Sequence, residues 1–549
     1  MENMKNNIYK YVSSLFLSTA LLASCGDFEE INTNKQGVTP EQAEGDGVAS
    51  GGFIQTLQRS VVPVGTAANK TDIINVYQTA YHIGQDDWAG YFGQNADWEG
   101  SRNHTTYSLV NNWVKESYKQ SYTQAFSPWL SIKNNPAAKL NPENFALAQV
   151  LKVAVWHKAT DIFGPIPYTK AGEGLLNTPY DSQEVVYMSM LSDLEKAIET
   201  LTSFEEQGGK LFPNYDLVYG GNTTNWVKFA NSLMLRLAMR MRYVAPAEAK
   251  RYAEMAVNHR IGVMTVKEDG ASISMAHGLQ FENPIERTAG QYAETRMGTP
   301  AFSYMAGYED PRLPKYFRTT KHPYAVSLPW AGGSYFPIPV GFGIRQDEKR
   351  EESVYFCSLP NIERTTPVHW LLTSEVLFLR AEGALLGWNM GGTAENFYTQ
   401  GIQMSFEENG VPASKAALYI GSGLKPVDVD MTKLNRVNTT IQAVSTATVQ
   451  FVGTQEQKLE KIIIQKWIAL YPNGQEAWSE WRRTGYPKLH TPLKNTSNGE
   501  VNSEQGIRRM HYSIQTARSE EEQAVYDEAV KLLDGPDSPA TKLWWDKKR

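Results

Sequence analysis

Cysteine is nearly missing from this sequence: Cys25 and Cys357 are the two among 549 residues. A disulfide framework is thereby excluded, and stability has to come from an apolar core, which a chain of this length can bury. Positive charge is not in surplus either. The 53 Lys and Arg stand against 59 Asp and Glu, a formal net charge of -6. Nucleic acid as a partner calls for a basic footprint, so none is expected. No apolar run approaches the roughly 20 residues that a membrane-spanning helix needs. The motifs H-E-x-x-H, G-x-S-x-G, the Walker loop and G-x-G-x-x-G are all missing. The nine histidines are scattered, without metal-ligand spacing, so neither catalytic residues nor metal ligands are assigned. Two suitably separated carboxylates are enough for a glycosidase, which leaves a surface glycoside hydrolase as an alternative that motifs alone do not remove. Alternating strand patterns are scarce and confined to short pieces such as residues 271–275. No Pro/Ser/Gly-rich linker or charge run divides the chain.

What is there begins with an ordered N-terminus. Lys5 and Lys10 precede the run LFLSTALLA at residues 15–23, followed by Ser24 and Cys25. Basic, apolar and small residues in that order make a secretory signal peptide. Leu22, Ala23, Ser24 and Cys25 resemble a lipobox, the recognition sequence of bacterial lipoprotein processing, whose cysteine carries diacylglycerol. The expectation is a signal peptide over 1–24, lipidation at Cys25, an extended polar lead-in over 25–50 and a single domain over 51–549. Two or three acyl chains, at about 0.8 kcal/mol per buried methylene, anchor a protein stably without a spanning helix. Residues 26–30 (GDFEE) resemble the surface-export signal of Bacteroidetes lipoproteins, which implies an outer-membrane, cell-surface address. With Cys25 lipidated, Cys357 in its apolar surroundings reads as a lone buried thiol, its role not legible.

Helical periodicity dominates the rest. Trp226, Phe229, Ala230, Leu233, Leu237 and Met241 fall on one helical face. Arg236 and Arg240 share another stripe, and Asn222, Thr223 and Thr224 offer caps upstream. Similar stretches are expected over 67–83, 108–133, 142–162, 182–202, 246–258, 373–387, 393–407, 456–471 and 520–533. They come in neighbouring pairs that resemble tetratricopeptide units, without the roughly 34-residue consensus. The fold is expected to be mainly α, with helix pairs backing an irregular, loop-rich half made of residues 265–300, 318–366 and 408–455. Loops this long inside a compact domain are functional or disordered. The second is rich in aromatics, among them Tyr324, Trp330, Tyr335, Phe336 and Phe342, which disordered segments lack. It therefore reads as an ordered recognition loop.

Sugars present apolar C–H faces and polar rims, so a sugar site needs flat rings with Asp, Asn or Arg beside them. Of the 14 Trp, those at 113, 129, 156, 226, 388, 467, 478 and 481 sit in helical patterns and read as core, whereas Trp88, Trp98 and Trp330 do not. Residues 85–103 (QDDWAGYFGQNADWEGSRN) interleave rings with carboxylates and amides. The candidate ligand contacts are Trp88, Tyr91, Trp98, Asp87, Asn95, Trp330 and Tyr335. Asp428 and Asp430 resemble the start of a calcium loop, but the Gly and closing Glu do not follow in register.

Several blocks, in order along the chain, resemble the SusD/RagB family, in particular its second SusD-like branch. They are DFEEINTN from residue 27, DIFGPIPYTKA from 161, VYMSMLSDLEKAI from 186, WVKFANSLMLRLAM from 226, DPRL from 310, EVLFLRAEG from 375, IQKWIALYPNGQEAWSEWRRTGYP from 464 and LWWD from 543. The resemblance implies four tetratricopeptide-like helix pairs behind an irregular ligand-binding half. It also implies a non-enzymatic lid that captures oligosaccharide and passes it to a SusC-like, TonB-dependent transporter; capture of peptide or protein is the alternative within the family. It implies that part of an aromatic platform lies after the first helices and part at about 286–345. No cofactor is implied, with a structural calcium left open. The Arg482-Arg483-Thr484-Gly485 segment is expected to form internal ion pairs.

Overall fold

In the computed structural model, the structure describes residues 47–64, 75–136, 140–275, 281–343, 356–434, 437–513 and 519–548. Cys25, the signal peptide over 1–24 and the lead-in up to 46 lie outside the described residues. The chain divides into two units, Met1–Ala49 and Ser50–Arg549. Among the described residues no helix is long and apolar enough to cross a membrane.

The long helices are α1 (Val48–Val61), α2 (Asn111–Tyr118), α3 (Gln124–Lys133), α4 (Pro142–Phe163), α5 (Gln183–Glu206), α6 (Thr223–Arg240), α7 (Pro246–Asn258), α8 (Thr299–Gly307), α9 (Thr373–Leu385), α10 (Ala394–Glu408), α11 (Gln455–Leu470), α12 (Gly474–Thr484) and α13 (Glu520–Lys531). Local chemistry sets their limits. Pro142 opens α4 at a position where its missing N–H costs nothing. Gly164 closes it with φ 89° ahead of Pro165, a backbone conformation that only glycine adopts without strain. Ser182 accepts from the Val185 amide at 3.3 Å and caps α5. Asn222 does the same for Asn225 at 3.1 Å ahead of α6, and Thr454 and Gln457 form a reciprocal capping box at α11.

The pairs α4–α5, α6–α7, α9–α10 and α11–α12 pack as neighbours in chain order. The apolar stripe of α6 is buried as its spacing requires: Trp226, Ala230, Leu233 and Leu237 are each at most 1 % exposed. Strands are short and pair two by two: β1 (Phe92–Gln94) with β3 (Thr295–Met297), β2 (Ala271–Ile273) with β6 (Val368–Leu371), β4 (Val326–Leu328) with β5 (Gly333–Tyr335), and β7 (Val429–Asp430) with β8 (Thr440–Ile441). All four ladders are antiparallel.

The stripe of arginines on α6 does not face water. Arg236 pairs with Glu375 at 2.7 Å, and Arg240 with Glu476 and Glu480 at 2.5 Å each. Arg483 grips Glu382 through two bonds of 2.6 and 2.7 Å and Glu480 at 2.6 Å. Arg482 donates to the carbonyls of Asp161 and Arg508 at 2.6 and 2.8 Å. Both arginines are internal, but only Arg483 forms the expected ion pairs; Arg482 is held by carbonyl oxygens and the Ser479 hydroxyl. In the DPRL block, Arg312 and Asp310 form a fully buried fork.

Candidate ligand-binding site

Four segments converge on the loop-rich half. β1 and β3 pair Phe92 with Met297 and Gln94 with Thr295. Ile338 then extends the arrangement, donating to the Met297 carbonyl at 2.8 Å and accepting from Thr299 at 3.0 Å. Further along, Leu493 and Lys494 bond to Val340 and Gly341, and Thr496 bonds to Thr106 at 2.8 Å. The extended segment 335–343 thus ties the β4–β5 hairpin, with Trp330 at its tip, to the loop that carries Trp98.

That loop is strained. Glu99, Ser101 and Tyr107 have φ of 53°, 65° and 66°. Non-glycine residues in the left-handed region cost of order 1–3 kcal/mol each and concentrate at ligand clamps and active sites. Surrounding bonds hold it in place. Asn103 accepts from Thr105 N at 3.0 Å and Thr106 Oγ1 accepts from Asn103 N at 3.2 Å. Ser101 Oγ donates to Asp97 at 2.9 Å, and Thr106 Oγ1 donates to the Ser101 carbonyl at 2.7 Å.

The seven candidate contacts divide by burial. Trp88 is 8 % exposed. Its Nε1 donates to the His104 carbonyl at 2.8 Å, and its ring packs 5.0 Å from that of Trp478. Tyr91 stacks on Trp467 at 5.2 Å and donates its hydroxyl to the Trp467 carbonyl. Asp87 accepts from Gln94 at 2.7 Å, and burial pushes its carboxyl well above the usual range. Asn95 is fully buried, and its amide has no partner among the described residues. Tyr335 is buried and donates to the Ala331 carbonyl at 3.1 Å. These five correct the expectation of ligand contacts at their positions: they are enclosed by the protein, Trp88 against Trp478 of α12, Tyr91 against Trp467 of α11, Asp87 and Asn95 beside β1, and Tyr335 within the β4–β5 hairpin. Trp98 and Trp330 remain half-buried.

Trp113, read from the sequence as core, is also half-buried. It meets Trp98 edge-on at 6.4 Å and His104 at 5.1 Å. Its place in the first turn of α2, beside the exposed Asn111 and Asn112, was the signal that could have marked it. Burial, with the charge of His511 adding to it, lowers the His104 imidazole to about 3, so the ring under these tryptophans is neutral. Around the hairpin, Tyr324 is 41 % exposed, with Lys433 lying 5.6 Å over its ring. Arg102 is exposed on the Trp98 loop, as Lys433 is beside Tyr324, so each region sets a cation near an aromatic ring.

Asp430 caps a turn, accepting from Thr432 N at 2.9 Å, and Asp428 accepts from Ala443 N at 2.9 Å across 15 residues. Among the described residues no group of three or more His, Cys, Asp or Glu is placed to hold a metal ion. Cys357 is buried, and burial pushes its thiol up to about 12.

None of the curated proteins matches the chain. Among solved structures it is similar to a chitin-binding SusD homologue from Flavobacterium johnsoniae, with 36% identity and a TM-score of 0.81 over 91% of this chain and 99% of that one. A SusD homologue from Bacteroides thetaiotaomicron is 33% identical with a TM-score of 0.78 over 91% and 99%. One from Bacteroides vulgatus is 31% identical with a TM-score of 0.81 over 92% and 99%. The model of the SusD-like family, described as SusD and RagB outer membrane lipoprotein, matches residues 30–546. With that match, and with the helix pairs behind a loop-rich face, the chain belongs to the SusD-like family of outer membrane lipoproteins.

Proposed function

We infer that the protein is a cell-surface binding protein that captures oligosaccharide and breaks no bond in it. The observation that carries this reading is the pair of half-buried rings, Trp98 and Trp330, on a strained loop and a hairpin tip joined by one bonded segment. A ring held by a pre-organised backbone loses little entropy on binding, and aromatic stacking adds about 0.5–1.5 kcal/mol beyond area burial. The chitin-binding relative supports a saccharide with N-acetyl groups as the first ligand to try. Trp88, Tyr91 and Asp87 serve from behind, fixing the stretch that leads to Trp98, and Tyr335 fixes the hairpin that presents Trp330. Lipid on Cys25 tethers the chain, and a SusC-like, TonB-dependent transporter receives the ligand from it.

Calorimetry with chito-oligosaccharides, other oligosaccharides and peptides tests the ligand class. Trp98→Ala and Trp330→Ala are each expected to weaken saccharide binding at least tenfold with the melting temperature unchanged. Binding of peptides alone, or unchanged affinity in both variants, would overturn the assignment. Shortened products after long incubation would overturn the non-catalytic reading. Fatty-acid labelling that survives Cys25→Ser would remove the proposed anchor.

A further inference from the structure

We propose a second binding site, for acidic oligosaccharide, in a cleft among the helix ends. Its main chamber, about 1230 Å³, is lined by Arg242 and Tyr243 after α6, Leu385 and Leu386 at the end of α9, the first turn of α11 and the tail at 542–548. A further chamber of about 710 Å³ shares Glu456, Lys542, Asp546 and Lys548 with it and runs on past the end of α12. No residue of the Trp98 loop or of the Trp330 hairpin lines either chamber, so this site does not rest on the one described above.

The cleft has uncommitted positive charge, although the whole chain carries -6. Its carboxylates are largely taken. Glu382 is held in a fork by Arg483 at 2.6 and 2.7 Å, and Asp546 is held by Arg508 at 2.7 and 2.5 Å. Two of the cations are free. Arg242, 9 % exposed, is not among them: it lies 4.1 Å over the Tyr243 ring, pairs with Glu382 through Nε at 2.8 Å and donates from Nη2 to the Tyr243 hydroxyl. Lys542 and Lys488 are exposed and form no ion pair with a described residue. Lys548 is paired with Glu456, which is 54 % exposed, a contact weak enough to be exchanged for a ligand.

Rings stand beside these cations. Tyr243, Tyr486 and Trp481 are half-buried along the cleft, with Lys548 at 4.2 Å over Tyr486 and Arg508 at 5.1 Å over Trp481. Flat rings for an apolar sugar face next to guanidinium and ammonium groups match a saccharide bearing carboxylate or sulfate. The volume suits several sugar residues rather than a single small ion.

Titration of the full chain with oligogalacturonate, heparin oligosaccharide and neutral cello-oligosaccharide tests the site. One or both acidic ligands are expected to bind, more weakly as salt rises, and which of them does so tells carboxylate from sulfate. Lys542→Glu with Lys488→Glu, and separately Tyr486→Ala, should reduce that affinity at least tenfold at an unchanged melting temperature. Trp98→Ala should leave it untouched, which separates failure here from failure of the loop site. Arg242→Gln is a weaker probe because Arg242 helps hold Glu382, and the exposed lysines keep the test independent of folding. Binding of neither acidic ligand, equal binding of the neutral one, or full affinity in the charge-reversed variant would overturn the proposal.

Discussion

Trp88 and Trp98 lie in one short stretch of sequence, flanked by the same kinds of residue, yet their surroundings differ completely. Trp88 is enclosed by Trp478, His104 and the residues over Gly84, where an added Cβ would come within 3.3 Å of the Trp88 ring. Trp98 meets Trp113 edge-on and stays half-buried. Trp88→Ala removes a buried indole and the bond to the His104 carbonyl, and the expected cost is about 3–5 kcal/mol of unfolding free energy, read by thermal or urea denaturation. Composition alone put both rings in the same class. What separates them is the distance from α12, which joins the site through residues nearly four hundred positions along the chain, as in the 388-residue separation of Asp86 and Gly474.

At the level of elements, most helices fall where periodicity and caps place them. Of the segment at 67–83, residues 67–74 lie outside the described residues, and the rest is helical but passes into a π-helix over Gln78–Asp86, since the extra residue of a π-turn leaves no mark on a 3.6-residue pattern. The stretch 108–133 is likewise two helices, joined by a π-turn at Lys119–Thr123. α8, between two of the irregular stretches, is not marked by periodicity because its residues are buried all round, which leaves no polar stripe to detect. The close of α12 is legible in detail: Gly485 has φ 75° and no atom within 4 Å of where a Cβ would stand. Gly485→Ala is therefore a purely conformational change, with an expected loss of about 1–2 kcal/mol in a melt and no effect on saccharide binding at the Trp98 loop.

Across the whole molecule the arginine-rich blocks act as clamps between distant helices. Trp545 of the C-terminal block donates to Asp161 across 384 residues, and Arg483 reaches Glu382 across 101. Glu480 sits at the centre, accepting from Arg240, Arg483 and Lys466. Burial alone would raise its carboxyl; Arg483, Lys466 and Arg240 more than reverse this and hold it well below the usual carboxylate range. A depressed folded value means stability that is present above the unfolded value of about 4.3 and is lost as pH falls through the folded one. Glu480→Gln is thus expected to cost about 3–5 kcal/mol at neutral pH. The gap to the wild type should narrow as pH falls below about 4, measured by urea unfolding across pH; a gap independent of pH would refute this.

The order of residues alone settled the class of fold, the helix pairs and the internal fate of Arg482 and Arg483. Periodicity, caps and charged residues in apolar surroundings are local properties, readable one segment at a time. It could not say which of several similar rings and carboxylates face a ligand. Exposure is decided by segments that meet only after folding: β1 against β3, Thr106 against Thr496, and the helix ends and tail that enclose Arg242. A pattern within one stretch of chain carries no information about which distant segment will cover it.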